Sequence, residues 1–163
     1  MMDIKTFRDA MSHLAAAVNI ITTDGSAGRC GFTATAVASV TDTPPTLLVC
    51  MNRASFLHSA FLENGRLCVN TLAGDQSGLS GVFANAHLDA EARFACGEWH
   101  SEPDGSPRLA GALAHFDCRI AQTVEIGTHS VFFCAVESLH CEPGAALVYF
   151  DRAYHSVPAP VAA

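Results

Sequence analysis

From Ala112 to Ile120 the chain alternates without a slip. Ala114, Phe116, Cys118 and Ile120 fall on one face, and His115, Asp117 and Arg119 on the other. Successive side chains leave opposite sides of an extended backbone, so this spacing specifies a half-buried strand. Further on, Ser130–Leu139 (SVFFCAVESL) is apolar on both faces at first, as a strand covered from two sides requires. Between the two lies Gly127-Thr128-His129, a turn that presents a histidine.

Shorter strands are expected around this pair. Ala17–Thr23 (AVNIITT) is β-branched and stops at the turn signal Asp24-Gly25. Gly31–Val40 reads as one strand, Thr46–Met51 as another after the break at Pro44-Pro45, Leu67–Leu72 as a third, and Ala146–Phe150 as the last. Three helices are interspersed. Asp3 caps one from Ile4 to about Ala16, with Ile4, Phe7, Met11 and Leu14 on one stripe. Ser55–Glu63 is the second, with Ser55 as N-cap and Asn64-Gly65 as the stop, and Asp75–Phe83 is the third. Gly97, Pro103-Asp104-Gly105 and Pro107 keep residues 84–108 irregular. Many short strands with no regular strand–helix alternation predict a mainly β fold, a closed antiparallel barrel with short helices outside it.

The 163 residues suit one domain, placed at residues 1–157 with a flexible tail at 158–163. Nine Lys and Arg against 16 Asp and Glu give a net charge of −7, and Lys5 is the only lysine, which argues against a nucleic-acid or anionic-membrane binder. Only 15% of residues are charged, well below the usual fraction of about 25%. A second subunit or a ligand is therefore expected to cover part of the surface. Met1-Met2-Asp3-Ile4-Lys5 has no basic segment leading into an apolar run, so no secretory leader is expected. The seven cysteines contain no CxxC pair and read as reduced thiols of a cytoplasmic protein.

No phosphate-binding GxxxxGK[ST], no GxSxG, no HExxH and no GxGxxG after a strand is present, and the eight histidines are scattered, so no metal site is expected. Gly25, Gly28 and Gly31 are spaced as in a hairpin. The positive signals are quieter. Thr33-Ala34-Thr35-Ala36 is small enough for a flat ring to approach the backbone, or is an ordinary strand against the first helix. Asn52-Arg53-Ala54-Ser55, at a strand end, suits a phosphate, or is a plain helix cap beside a solvated arginine. Asn70 in LCVNTL must be satisfied by backbone or by ligand. Tyr149–His155 mixes aromatic and basic groups, which could stack on a planar ligand or close the barrel end.

In order and spacing, FRDAMSHLAAAVNIITT, GFTATAVASVTDTPPTLLVCMN, LCVNTL, GTH and LVYFDRAYH resemble the short-chain flavin reductases of two-component monooxygenases. The likeness is strongest to the reductase of 4-hydroxyphenylacetate 3-monooxygenase and to relatives in pyrimidine utilisation. It runs from Phe7 to His155. It implies a flavin-binding split β-barrel that works as a homodimer, with FMN or FAD as flavin and NADH, ahead of NADPH, as hydride donor. It places flavin around Thr33, Ala34, Thr35 and Ala36 and against Cys50 and Phe56. Asn52 and Ser55 then lie near the phosphate, Asn70, Thr71 and Leu72 along the ribityl chain, and Tyr154 and His155 at the flavin edge. His129 is the implied catalytic residue, near the nicotinamide, and Thr128 stands where some members carry an acidic residue. Reduced flavin would diffuse to a separate oxygenase, an aromatic hydroxylase or a pyrimidine-utilisation monooxygenase. Other readings are a flavin- or haem-binding barrel without turnover, and a pyridoxine-phosphate-oxidase relative, which would need more Lys and Arg.

Overall fold

The structure is a computed structural model and describes residues 1–161. In chain order its elements are α1 (Ile4–Met11), β1 (Ala16–Ala17), β2 (Asn19–Thr23), β3 (Cys30–Ala34), β4 (Val37–Asp42), β5 (Pro45–Asn52), α2 (His58–Asn64) and β6 (Arg66–Thr71). There follow α3 (Ser77–Ala84), α4 (Ala90–Phe94), β7 (Trp99–His100), β8 (Arg108–Leu109), β9 (Ala114–Ile126), β10 (His129–Cys141), β11 (Ala146–Phe150) and β12 (Ala153–Val157). Each of the paired strands runs antiparallel to its neighbours.

The alternating segment grows into β9 and the apolar one into β10, each 13 residues long and paired from His129↔Ile126 to Cys141↔Ala114. They sit at the middle of a seven-stranded sheet of order β3-β2-β6-β9-β10-β5-β4. Ile21, Ala34, Val49, Val69, Cys118 and Phe132, one from each of six strands, meet in a single core with Leu57 and Phe61, and Val37 of β4 packs against it. A sheet whose strands all feed one interior must curl around it. The ladder nevertheless stays open between its two edges, β3 and β4, which corrects the expectation of a closed barrel. Thr35 and Ala36 leave the ladder there: Val37 N–H bonds to Thr35 O (2.9 Å) and Cys50 N–H to Ala36 O (3.0 Å). The expected single strand Gly31–Val40 is thus two, on opposite edges.

Other boundaries also move. Helix α1 ends at Met11, not near Ala16. Helix α2 begins at His58, and the Ser55 hydroxyl accepts from Leu57 N–H (3.3 Å) in the turn before it, so Ser55 is not the N-cap. Gly65 stops the helix as expected, with φ +65°. β11 is not the last strand: Asp151 (φ +48°) and Arg152 (φ +62°) turn the chain into β12, pairing Tyr149 with Tyr154. Within 84–108 there are α4, capped by Asp89, and the two-residue ladder β7–β8. Of the expected tail, residues 158–161 follow β12, and 162–163 lie outside the described residues.

A second core lies on the outer side of β2 and β6. Val18, Ile20, Leu72, Phe83, Phe94, Leu109 and Leu147 pack there, with Trp99 against them. Asn70 holds this layer to the sheet. Its fully buried amide donates to Ile20 O (3.0 Å) and Thr22 Oγ1 (3.1 Å), and its carbonyl accepts from Leu109 N–H (2.8 Å). His115 donates from the other side to Leu109 O (2.7 Å). The cysteines are free thiols. Burial pushes Cys30 up to about 11 and Cys134 up to about 12, so both are neutral near pH 7 and poor nucleophiles. Among the described residues no helix is long and apolar enough to cross a membrane, and no His, Cys, Asp or Glu group could hold a metal ion.

Replacing Asn70 with Ala leaves the buried Leu109 N–H and Ile20 carbonyl without that partner. Urea unfolding should show a loss of about 2–4 kcal/mol.

Candidate functional site

Three segments meet at one end of the curled sheet: the end of β3, the loop from β5 into α2, and the stretch from α3 to α4. Together they enclose a cavity of about 450 Å³ lined by Phe32, Thr33, Asn52, Ser55, Phe56 and Arg93, among others. That volume is within the range of small-molecule and cofactor sites.

The loop is shaped by its own polar groups. The Asn52 carboxamide accepts from Ala54 N–H (2.9 Å), and Ser55 N–H bonds to Asn52 O (3.1 Å), folding the chain back before α2. Phe56 is left exposed at the rim, and Ser55 is half-buried. On the opposite wall the Thr33 hydroxyl donates to Ser80 O (2.6 Å), and Ser80 Oγ lies 2.7 Å from Tyr154 Oη. Tyr154 is thereby tied to the β3 side, its ring edge-on to Tyr149 at 5.3 Å.

Arg93 was not among the residues that the sequence singles out. The residue is buried, at 3% exposure, and its Nε atom is out of reach of solvent. Nη1 donates to Gly31 O (2.6 Å), Nη2 donates to Asn85 O (2.7 Å), and Nε has no partner. Among the described residues no carboxylate pairs with it. Burial lowers its pKa, yet arginine stays charged at any ordinary pH. A desolvated cation of this kind is costly without a counter-charge, and an anionic group in the cavity would supply one. The only sequence signal was a cation set beside Phe94 in a segment otherwise rich in turns.

The histidine turn adjoins the same loop. His129 opens β10 directly opposite Asn52 of β5, is exposed, and has Nδ1 2.9 Å from Thr128 Oγ1. Arg53 N–H bonds to Thr128 O (2.9 Å). The Arg53 guanidinium points toward this turn, with Nη1 donating to Gly127 O (3.2 Å) and 3.3 Å from Glu125. Behind the turn His58 Nε2 lies 2.9 Å from the buried Ser130 hydroxyl.

Of the residues picked from the sequence, Thr33, Asn52, Ser55 and Phe56 line the cavity, Tyr154 is linked to its wall, and His129 stands beside its loop. The others are elsewhere. Asn70 and Leu72 are fully buried, and backbone and core groups satisfy Asn70, so neither is open to a ligand. Thr71 donates to Asn19 Oδ1 (2.8 Å) and lines a separate cavity of about 350 Å³. That cavity is walled by Val37, Leu47, Val69, Phe116 and Val136, and Asp42 is the one ionisable side chain in its lining. Ala34 is buried, Thr35 and Ala36 are exposed at the open seam, and the Cys50 N–H to Ala36 O bond continues the β4–β5 pairing. His155 turns away to Phe150 O (3.1 Å).

Comparison with known proteins gives a consistent answer. The chain is 55% identical over 160 residues to the FMN reductase (NADH) RutF of Escherichia coli, covering 98% of this chain and 97% of that one. A candidate flavin reductase from Haemophilus somnus 129pt superposes with a TM-score of 0.92 at 46% identity, covering 96% of this chain and all of the other. BorF, the flavin reductase component of a bacterial two-component tryptophan halogenase, superposes with a TM-score of 0.90 at 28% identity, over 97% of this chain and 100% of its own. Residues 11–158 match the flavin reductase like domain, and the chain belongs to that family.

Proposed function

We propose that this protein is an NADH-dependent flavin reductase that reduces FMN or FAD and hands the reduced flavin to a separate monooxygenase. The observation that carries the reading is the buried, unpaired charge of Arg93 in a cavity bordered by the loop that abuts the His129 turn. A flavin phosphate supplies the missing counter-charge, and Ser55 and the turn N–H groups beside it are donors of the right kind. Thr33 and Phe56 then flank the flat ring system. His129, exposed at the mouth, is available to the nicotinamide.

Bound flavin supplies the two-electron acceptor for a hydride from NADH. The protein's task is to hold two planar rings in contact and keep water from between them. No side-chain nucleophile is required, which agrees with buried thiols held in their neutral form. The RutF relative favours a pyrimidine-utilisation oxygenase as partner over the aromatic hydroxylase. Free cysteines throughout fit a reducing cytoplasm.

A homodimer belongs to the same reading. Ile4, Phe7, Met11 and Leu14 are all more than 45% exposed, and α1 has no buried residue, so the apolar stripe lacks a partner among the described residues. Light scattering should give twice the 17.2 kDa chain mass, and a 17.2 kDa particle would remove the dimer from the proposal.

The activity is tested by the fall in reduced-nicotinamide absorbance when purified protein meets NADH with FMN or FAD. No fall with either flavin would sink the reading. Arg93→Gln should raise the Kd for FMN about ten- to a hundredfold, the scale of one charged hydrogen bond, and leave riboflavin, which has no phosphate, within about twofold. His129→Ala should raise the KM for NADH more than the Kd for FMN.

A further inference from the structure

The arginine that the sequence offered to a phosphate is engaged elsewhere. Arg53 makes two contacts with the β9–β10 turn, its N–H to Thr128 O (2.9 Å) and Nη1 to Gly127 O (3.2 Å), and one with the end of β9, Nη1 to Glu125 Oε2 (3.3 Å). The ion pair is solvent-exposed, 43% on one side chain and 58% on the other, and by itself contributes little. The two carbonyl bonds are directional, one from the Arg53 main chain and one from its side chain. They fix the orientation of consecutive peptides in a turn where Gly127 already sits at φ +56°, and the next residue is His129. Arg53 itself follows Asn52, which pairs with His129 across the ladder and folds the cavity loop through its carboxamide.

We propose that Arg53 is a positioning residue: it locks the turn that carries His129 to the loop that lines the flavin cavity, and so sets the nicotinamide site against the flavin site. This rests on the reductase reading above. Arg53 need not touch either substrate. It acts by removing the freedom of the turn, and the two sites then keep one relative geometry through turnover.

The Thr128 bond comes from the main chain and survives substitution. Both side-chain contacts leave from Nη1, so a lysine ammonium can reproduce them, whereas the shorter, uncharged glutamine amide loses the Gly127 carbonyl as well as the Glu125 carboxylate. In the flavin-free protein, Arg53→Gln should speed hydrogen–deuterium exchange in the peptide spanning residues 125–130, and Arg53→Lys should largely restore it. With FMN and NADH, Arg53→Gln should lower kcat/KM for NADH about three- to tenfold, the scale of one or two exposed hydrogen bonds, while the Kd for FMN stays within about twofold. Arg53→Lys should recover most of that loss.

Unchanged exchange in Arg53→Gln would overturn the inference whatever the activity. So would a Kd for FMN that moves as far as kcat/KM, since Arg53 would then act on flavin directly. A lysine variant no better than glutamine would overturn it as well. If the unmutated protein oxidises no NADH, the reductase reading falls, and the role in catalysis falls with it.

Discussion

The site depends on one long antiparallel ladder. β9 and β10 pair over 13 residues each, and β5 and β6 flank them, so the middle of the sheet is fixed by backbone bonds on both sides. The turn at the end of that ladder is stitched to the loop after β5 by bonds from Arg53. Shifts in register between Phe133 and Cys134 and between Val136 and Ser138 bend the ladder along its length. That bend helps the sheet to wrap the core that Phe61 and Phe132 fill.

Around this frame the polar groups divide into two kinds. Asn70, Thr22 and His115 are occupied with holding the outer layer, and their hydrogen bonds end on Ile20, Pro107 and Leu109. Their value is structural: each prevents a buried donor or acceptor from standing alone. Arg93 differs, because its two carbonyl partners bring no charge to balance its own. A protein retains such an imbalance where something else completes it, and the cavity wall is where it is found.

The strands were legible because their signal is local. The alternation at 114–120, the β-branched run before Asp24-Gly25 and the stop at Gly65 each come from chain geometry that neighbouring residues impose. Periodicity does not report which sheet edge a strand joins, so Gly31–Val40 read as one strand although Thr35 and Ala36 carry the chain from one edge to the other. Ser55 looked like a helix cap because a hydroxyl before an apolar run usually is one, but the Asn52 carboxamide sets the turn first and delays the helix to His58. Arg152 at positive φ concealed the final hairpin, as arginine is not a residue one expects in such a turn. Of the site, the Asn52–Phe56 loop, Thr33 and the GTH turn could be found as short segments. The burial of Arg93 could not, for it arises only when α4 packs under β3, far away in the chain.

The open seam has a consequence for assembly. β4 is an edge strand exposed along most of its length, and its outer row of backbone donors and acceptors pairs with no strand among the described residues. Such an edge invites another extended chain and, if the pairing repeats head to tail, fibres. Here the strand is only six residues long and carries Ser39, Thr41 and Asp42, whose side chains keep water close to the backbone and add charge at its end. Short length and polar side chains are the features that blunt an open edge against such pairing, and this seam has both.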